Sequence, residues 1–215
     1  MIPKAIPVAA YAGNLDVKSS SVTPRRLVVG ISGASGVIYG VRLLQLLRNT
    51  DIQTHLVMSK TAEVTFAHET RIKIAEVKAS ANVSHAIDNM AAPISSGSFS
   101  TIGMIVAPCS IRSMSEIATG VTSTLLTRAA DVTLKERRKL VLMVRESPLH
   151  AGHLRNMTAL AEMGAIIAPP VPAFYMKPAS VEEMIDHTIG RVLDLFEQRV
   201  AEAADGGNVS DSLSR

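Results

Sequence analysis

Glu146 follows Arg145 at the end of an apolar run, Leu140–Val144. A carboxyl group at the edge of a buried strand, among cations and partly desolvated, suits general acid/base work. The same pair also fits a surface salt bridge. Ser110, Ile111, Arg112 and Ser113 follow a second apolar run, Gly103–Ala107, and open a helix-periodic segment. Hydroxyls, a guanidinium and the free amides of a helix start make a phosphate-binding set. A plain N-cap with a solvated arginine is the alternative. Gly33-Ala34-Ser35-Gly36 stands between the run Leu27–Ile31 and the helical pattern of Val37–Leu47. Small residues there let the backbone approach a phosphate or a flavin edge. The spacing departs from the dinucleotide pattern G-x-G-x-x-G, because Ser32 occupies the place of its second glycine, and a tight structural turn would look the same.

Further along, Arg128 and Lys135 are seven residues apart and share one helix face, where two cations suit a phosphate dianion. The bland reading of this charged helix is a solvated face with an Asp131–Lys135 pair. Cys109 has no recognisable base nearby and reads as a buried, inert thiol. His150 and His153 are spaced for two metal ligands but have no partner carboxylate pattern, so capping or surface roles fit better. Tyr175 follows the stiff segment Pro169-Pro170-Val171-Pro172, as a ligand donor or as packing.

Apart from Arg128, Lys135, His150 and His153, these groups stand just past the ends of predicted strands. Apolar runs at Leu27–Ile31, Gly103–Ala107, Leu140–Val144 and Ala165–Ala168, with a further strand at Ile52–Met58, alternate with helical periodicity. The helical segments are Val37–Leu47, Thr61–His68, a short one near Lys73–Val77, Ile111–Thr119, Ser123–Lys135, Gly152–Met163 and Val181–Val200. Strands apolar on both faces and separated by helices predict an α/β fold, a three-layer α/β/α arrangement around a mostly parallel sheet. Ligands in such folds sit beyond the carboxyl ends of the strands, where Ser32–Gly36, Ser59-Lys60, Pro108–Ser113, Arg145–Ser147 and Pro169–Tyr175 fall.

Composition agrees with a single domain over 25–200, between a flexible leader (1–24) and a flexible tail (201–215), without internal repeats. Aromatic residues make up 3% of the chain, with no Trp, which argues against a base-stacking nucleic-acid platform. The net charge of +3 is scattered and forms no basic patch. The single cysteine excludes an internal disulfide framework and fits a reducing cytoplasm. No apolar run reaches the ~20 residues of a membrane span.

Taken in order, several segments resemble the UbiX flavin prenyltransferase family. They are Val29–Gly36, His55–Lys60, Ser95–Phe99, Pro108–Ser110, Arg128–Val132 with Leu134–Arg137, Val144–Glu146 and Pro172–Tyr175. The resemblance spans roughly 25–200 and implies a Rossmann-like flavoprotein. It also implies transfer of a dimethylallyl group from dimethylallyl phosphate to reduced FMN, at N5 and C6, without a metal. The prenylated FMN would then serve a UbiD-type decarboxylase, in ubiquinone synthesis or aromatic acid breakdown. By position, Gly33, Ala34, Ser35, Ser59, Ser110, Ile111, Arg112, Ser113 and Arg145 would bind FMN. Tyr175 and Arg191 would hold the prenyl phosphate, Lys135 and Arg128 would add positive charge, Glu146 would be the acid/base, and Ser35 would assist at N5.

The resemblance further implies a homododecamer with sites at subunit junctions. Val144 stands where some members have Pro, and Met90 near where some carry an aromatic residue, which leaves the packing of the prenyl chain open. Two other readings are a direct flavin-dependent decarboxylase and a non-catalytic flavin carrier. The cysteine decarboxylases carry a Pro-x-Met-Asn motif that is missing here.

Overall fold

A computed structural model of the chain describes residues 24–205, with side chains to Phe196. Residues 1–23 of the predicted leader, and the tail beyond Asp205, lie outside the described residues; the first five residues of the predicted flexible tail instead continue the helix Val181–Asp205. Five of the strands grow from the predicted strand segments: β1 (Arg25–Ile31), β2 (Ile52–Met58), β4 (Gly103–Cys109), β5 (Lys139–Val144) and the two-residue β6 (Ile166–Ile167). A sixth, β3 (Val83–His85), was not expected. They form one six-stranded sheet in the order β3-β2-β1-β4-β5-β6, parallel at every pairing.

The helices divide between the two faces. α1 (Ile38–Leu47), α2 (Lys60–Glu69), α3 (Ile74–Ala79) and α7 (Val181–Asp205) cover the face that carries Leu27, Val29, Ile31, Ile105 and Val141. α4 (Ile111–Ala118), α5 (Leu125–Lys135) and α6 (Ala151–Glu162) cover the face with Val28, Met104, Val106, Leu140 and Leu142. Strands β1, β4 and β5 are therefore apolar on both sides, as a sheet sandwiched between helix layers requires. Gly40 marks the closest approach of α1: a Cβ there would lie 2.5 Å from the Ala107 carbonyl oxygen.

The histidines at the β2–β3 edge are structural. His55 is 4% exposed, and its Nδ1 lies 3.0 Å from Nε2 of His85. Phe99 packs edge-on against His55 and under the Arg26 guanidinium. Burial, then His85 and Arg26, push the His55 pKa down to about 4, so the imidazole is neutral in the folded protein.

Candidate functional site

A cavity of about 510 Å³ opens where β1, β2, β4 and β5 end. Gly33, Ser59, Ser110, Ile111, Arg112, Ser113 and Glu146 line it together with Lys60, Asp88, Glu116 and Ser123. Its floor is stitched by Ser32, the residue that breaks the glycine pattern. That hydroxyl is fully buried, donates to the Pro108 carbonyl at 3.1 Å, and accepts the Ser110 N–H at 2.7 Å. It therefore ties the β1 loop to the start of α4. Ser110 caps α4 by accepting the Ser113 N–H at 3.3 Å, and the two hydroxyls meet at 3.2 Å. Ser59 does the same for α2, accepting the Ala62 N–H. Gly33 is required for space: a Cβ would lie 2.9 Å from the Thr61 backbone and closer still to its side chain.

The start of α1 differs from the expectation. The Gly36 and Val37 N–H groups, which suit an anion, donate to Glu69 Oε2 at 2.8 and 3.3 Å. A carboxylate of the chain itself fills that place. Ala34 and Ser35 belong to the same loop, Ser35 exposed beside Gly33, but neither lines the cavity wall. Arg145 is exposed, its N–H held by the Cys109 carbonyl at 3.0 Å. Burial raises the Tyr39 phenol pKa, and the Arg145 guanidinium opposes that rise.

Glu146 is exposed at the rim, and its Oε1 accepts the Ser147 N–H at 3.0 Å. No cation pairs with it among the described residues. Arg112 is tied along α4 to Glu116 at 2.9 Å, and Glu116 also accepts the Ser123 hydroxyl at 2.6 Å. Burial pushes the Glu116 carboxyl up, but the bonds from Ser123 and Arg112 outweigh it and hold the carboxyl below its ordinary range. Periodicity and spacing gave no sign of Glu69, because it acts across a loop, nor of the Glu116–Ser123 bond.

The other candidates lie elsewhere on the single chain. Arg128 bonds the Ser95 carbonyl at 3.2 Å and pairs with Asp131 at 2.7 Å, while Lys135 pairs with Glu136. The expected Asp131–Lys135 pair does not form, because the i−3 arginine takes Asp131 first. Arg138 donates to the Phe99 and Gly97 carbonyls, so α5 and its end hold the Ser95–Phe99 segment. Tyr175 and Arg191 line a second cavity of about 390 Å³ between α7 and the strap Ala168–Tyr175. Cys109 is fully buried, and burial pushes its thiol up to about 12, far from a nucleophile. His150 caps α6 through Nδ1, which accepts the Gly152 and His153 N–H groups.

The Flavoprotein family model matches residues 16–197. The flavin prenyltransferase UbiX of Escherichia coli (strain K12) is 61% identical over 173 residues, 80% of this chain and 92% of the relative. This chain is a member of the UbiX flavin prenyltransferase family. Two solved UbiX-family structures share its fold. AnUbiX (PadA1), in complex with FMN and dimethylallyl pyrophosphate, superposes with a TM-score of 0.80 at 51% identity, covering 81% of this chain and 93% of that one. The dodecameric FMN-dependent UbiX-like decarboxylase from Escherichia coli O157:H7 gives 0.78 at 50% identity, covering 80% and 94%. Among the described residues, no helix of this UbiX-family chain is long and apolar enough to cross a membrane, and no three or more metal-ligating side chains cluster.

Proposed function

We propose that this chain transfers the dimethylallyl group of dimethylallyl phosphate to reduced FMN, forming bonds at N5 and C6. The carrying observation is the 510 Å³ cavity at the strand ends, with its serine-capped helix start and the unpaired Glu146 carboxylate on its rim. That volume suits a small cofactor-sized ligand. Gly33, Ser59 and Ser110–Ser113 hold FMN, a substrate here, with the Ile111 and Arg112 amides and Arg145 facing its anionic group. Ala34 and Ser35 form the turn beside the flavin, with Ser35 serving N5.

As the C–O bond of the donor breaks, the leaving phosphate gains negative charge. Tyr175 and Arg191 receive it, and Arg128 and Lys135 add positive charge. Fixed donors aimed at developing charge supply the largest expected share of the rate. Two protons leave the flavin, from N5 and from C6; Glu146 passes one to the departing phosphate and, with that phosphate, delivers the other to the alkene carbon as the second bond closes, so the proton count balances.

None of the four cationic and phenolic side chains lines the flavin cavity of the single chain. We therefore propose a homo-oligomer, a dodecamer as named for the O157:H7 relative. The strap supports this reading, because Val171, Phe174 and Met176 are 70%, 72% and 54% exposed, a patch that association would cover. The proposed setting is the cytoplasm, and the proposed recipient of the product is a UbiD-type decarboxylase.

The test is anaerobic incubation of the purified protein with reduced FMN and dimethylallyl phosphate, and in parallel with the pyrophosphate. The flavin is then released for mass spectrometry. A flavin heavier by one five-carbon unit is expected. Unmodified FMN despite flavin binding, with either donor, would overturn the transfer and favour the carrier or decarboxylase readings.

A further inference from the structure

The cavity under α7 holds three side chains whose donors are open. Among the described residues the Tyr175 hydroxyl has no hydrogen-bond acceptor, and Arg191 engages only Nη1, on Asp194 at 3.0 Å. The third is His187. It precedes Arg191 by one helical turn and so presents to the same side of α7. It is half-buried, and neither ring nitrogen has a hydrogen-bond partner among the described residues. Its ring meets Tyr175 edge-on, centroids 6.1 Å apart at 87°. The ring lines the cavity beside both donors.

The neighbours sharpen the contrast. The Thr188 hydroxyl is already committed to the Met184 carbonyl at 2.7 Å. No carboxylate lines this cavity, whereas the smaller one on the other side of His187, about 130 Å³, carries Glu183. His187 thus divides a chamber suited to an anion from one that repels it. The rest of the larger chamber is apolar, with Val171, Pro172, Val192 and Leu195. A half-buried imidazole with both nitrogens open, beside a phenol and a guanidinium, is a donor set for a phosphate.

We infer that His187 is a direct ligand of the prenyl donor's phosphate, beside Tyr175 and Arg191. The inference rests on the reading above that Tyr175 and Arg191 receive that phosphate. The experiment measures, on the full chain with saturating reduced FMN, the KM for dimethylallyl phosphate and the inhibition constant of inorganic phosphate. Both constants should rise roughly tenfold or more in His187→Ala, the loss of one hydrogen bond to a charged group. FMN affinity, read by fluorescence quenching, should stay at the wild-type value and reports that the variant folds. His187→Gln keeps a donor and should recover part of the loss, which a purely structural role for the ring would not produce. If His187→Ala leaves both constants within about twofold while Arg191→Ala raises them, the cavity stands and His187 is excluded. If Arg191→Ala also leaves them unmoved, the cavity is not the phosphate site and the inference falls with it.

Discussion

Ser110 and Ser113 line one cavity, tied beneath by the buried Ser32, with hydroxyls already bonded within the protein, whereas Tyr175, His187 and Arg191 line the other with donors left largely open. The first is built on strand ends and capped helices, and its groups hold their geometry without a ligand. The second is built on a strap with exposed apolar residues and one face of α7, and among the described residues its donors meet only Asp194, through one nitrogen of Arg191. A cavity whose polar groups are satisfied spends little on ordering when a ligand arrives. One with open donors offers them undivided to an anion and to a neighbouring copy.

The comparison is broken most forcefully at Glu146. Glu146→Gln should keep FMN affinity and lower turnover by roughly 10²–10⁴-fold, the usual share of a general acid/base. Unchanged turnover, measured with the mass-spectrometric assay, removes Glu146 from the mechanism. On the open side, Arg191→Ala should raise the KM for dimethylallyl phosphate by roughly 10–100-fold and leave thermal stability nearly untouched, because the exposed pair with Asp194 contributes little. A large loss of melting temperature instead would show that this side is structurally committed as well.

The rigid side should answer to acid. His55 has a folded pKa of about 4 against 6.5 for the free side chain, so the unfolded chain binds the extra proton between those values. Stability should be full above about pH 6.5, fall by about 2–3 kcal/mol toward pH 4, and level off below. Denaturant titrations across that range check it, and His55→Leu should flatten the dependence. A wild-type curve already flat from pH 7 to 4 would refute the neutral buried pair. The smallest effect is expected at Ser32→Ala, which leaves the Ser110 N–H without its buried partner. It should cost about 1–3 kcal/mol of stability and weaken FMN binding, read by melting temperature and fluorescence titration.

Much of the fold was legible because β1, β4 and β5 carry apolar runs, and Ile52–Met58, despite Gln53, Thr54 and His55, matches its predicted bounds. β3 was not, because three residues with Ser84 in the middle carry no period. What makes it a strand is tertiary: it pairs with β2, and Asn82 bonds both the Thr54 amide and hydroxyl. The hydroxyl-lined cavity was readable from the rule that ligands sit past strand ends. The roles of Tyr175 and Arg191 came only from family resemblance. Glu69 and Ser32 act on groups distant in sequence, which no local pattern encodes. His187 was within reach, four residues before Arg191 on a predicted amphipathic helix.

Gly33 sits with no room for even one carbon beyond its backbone, hard against the start of α2. Glycine codons have no conservative neighbours: every single-base change that alters the residue adds at least a methyl group. At this position mutation has no small steps to offer. Variation in how relatives of this chain grip a flavin must therefore enter through the surrounding hydroxyls and loops, and the turn itself is inherited whole or lost.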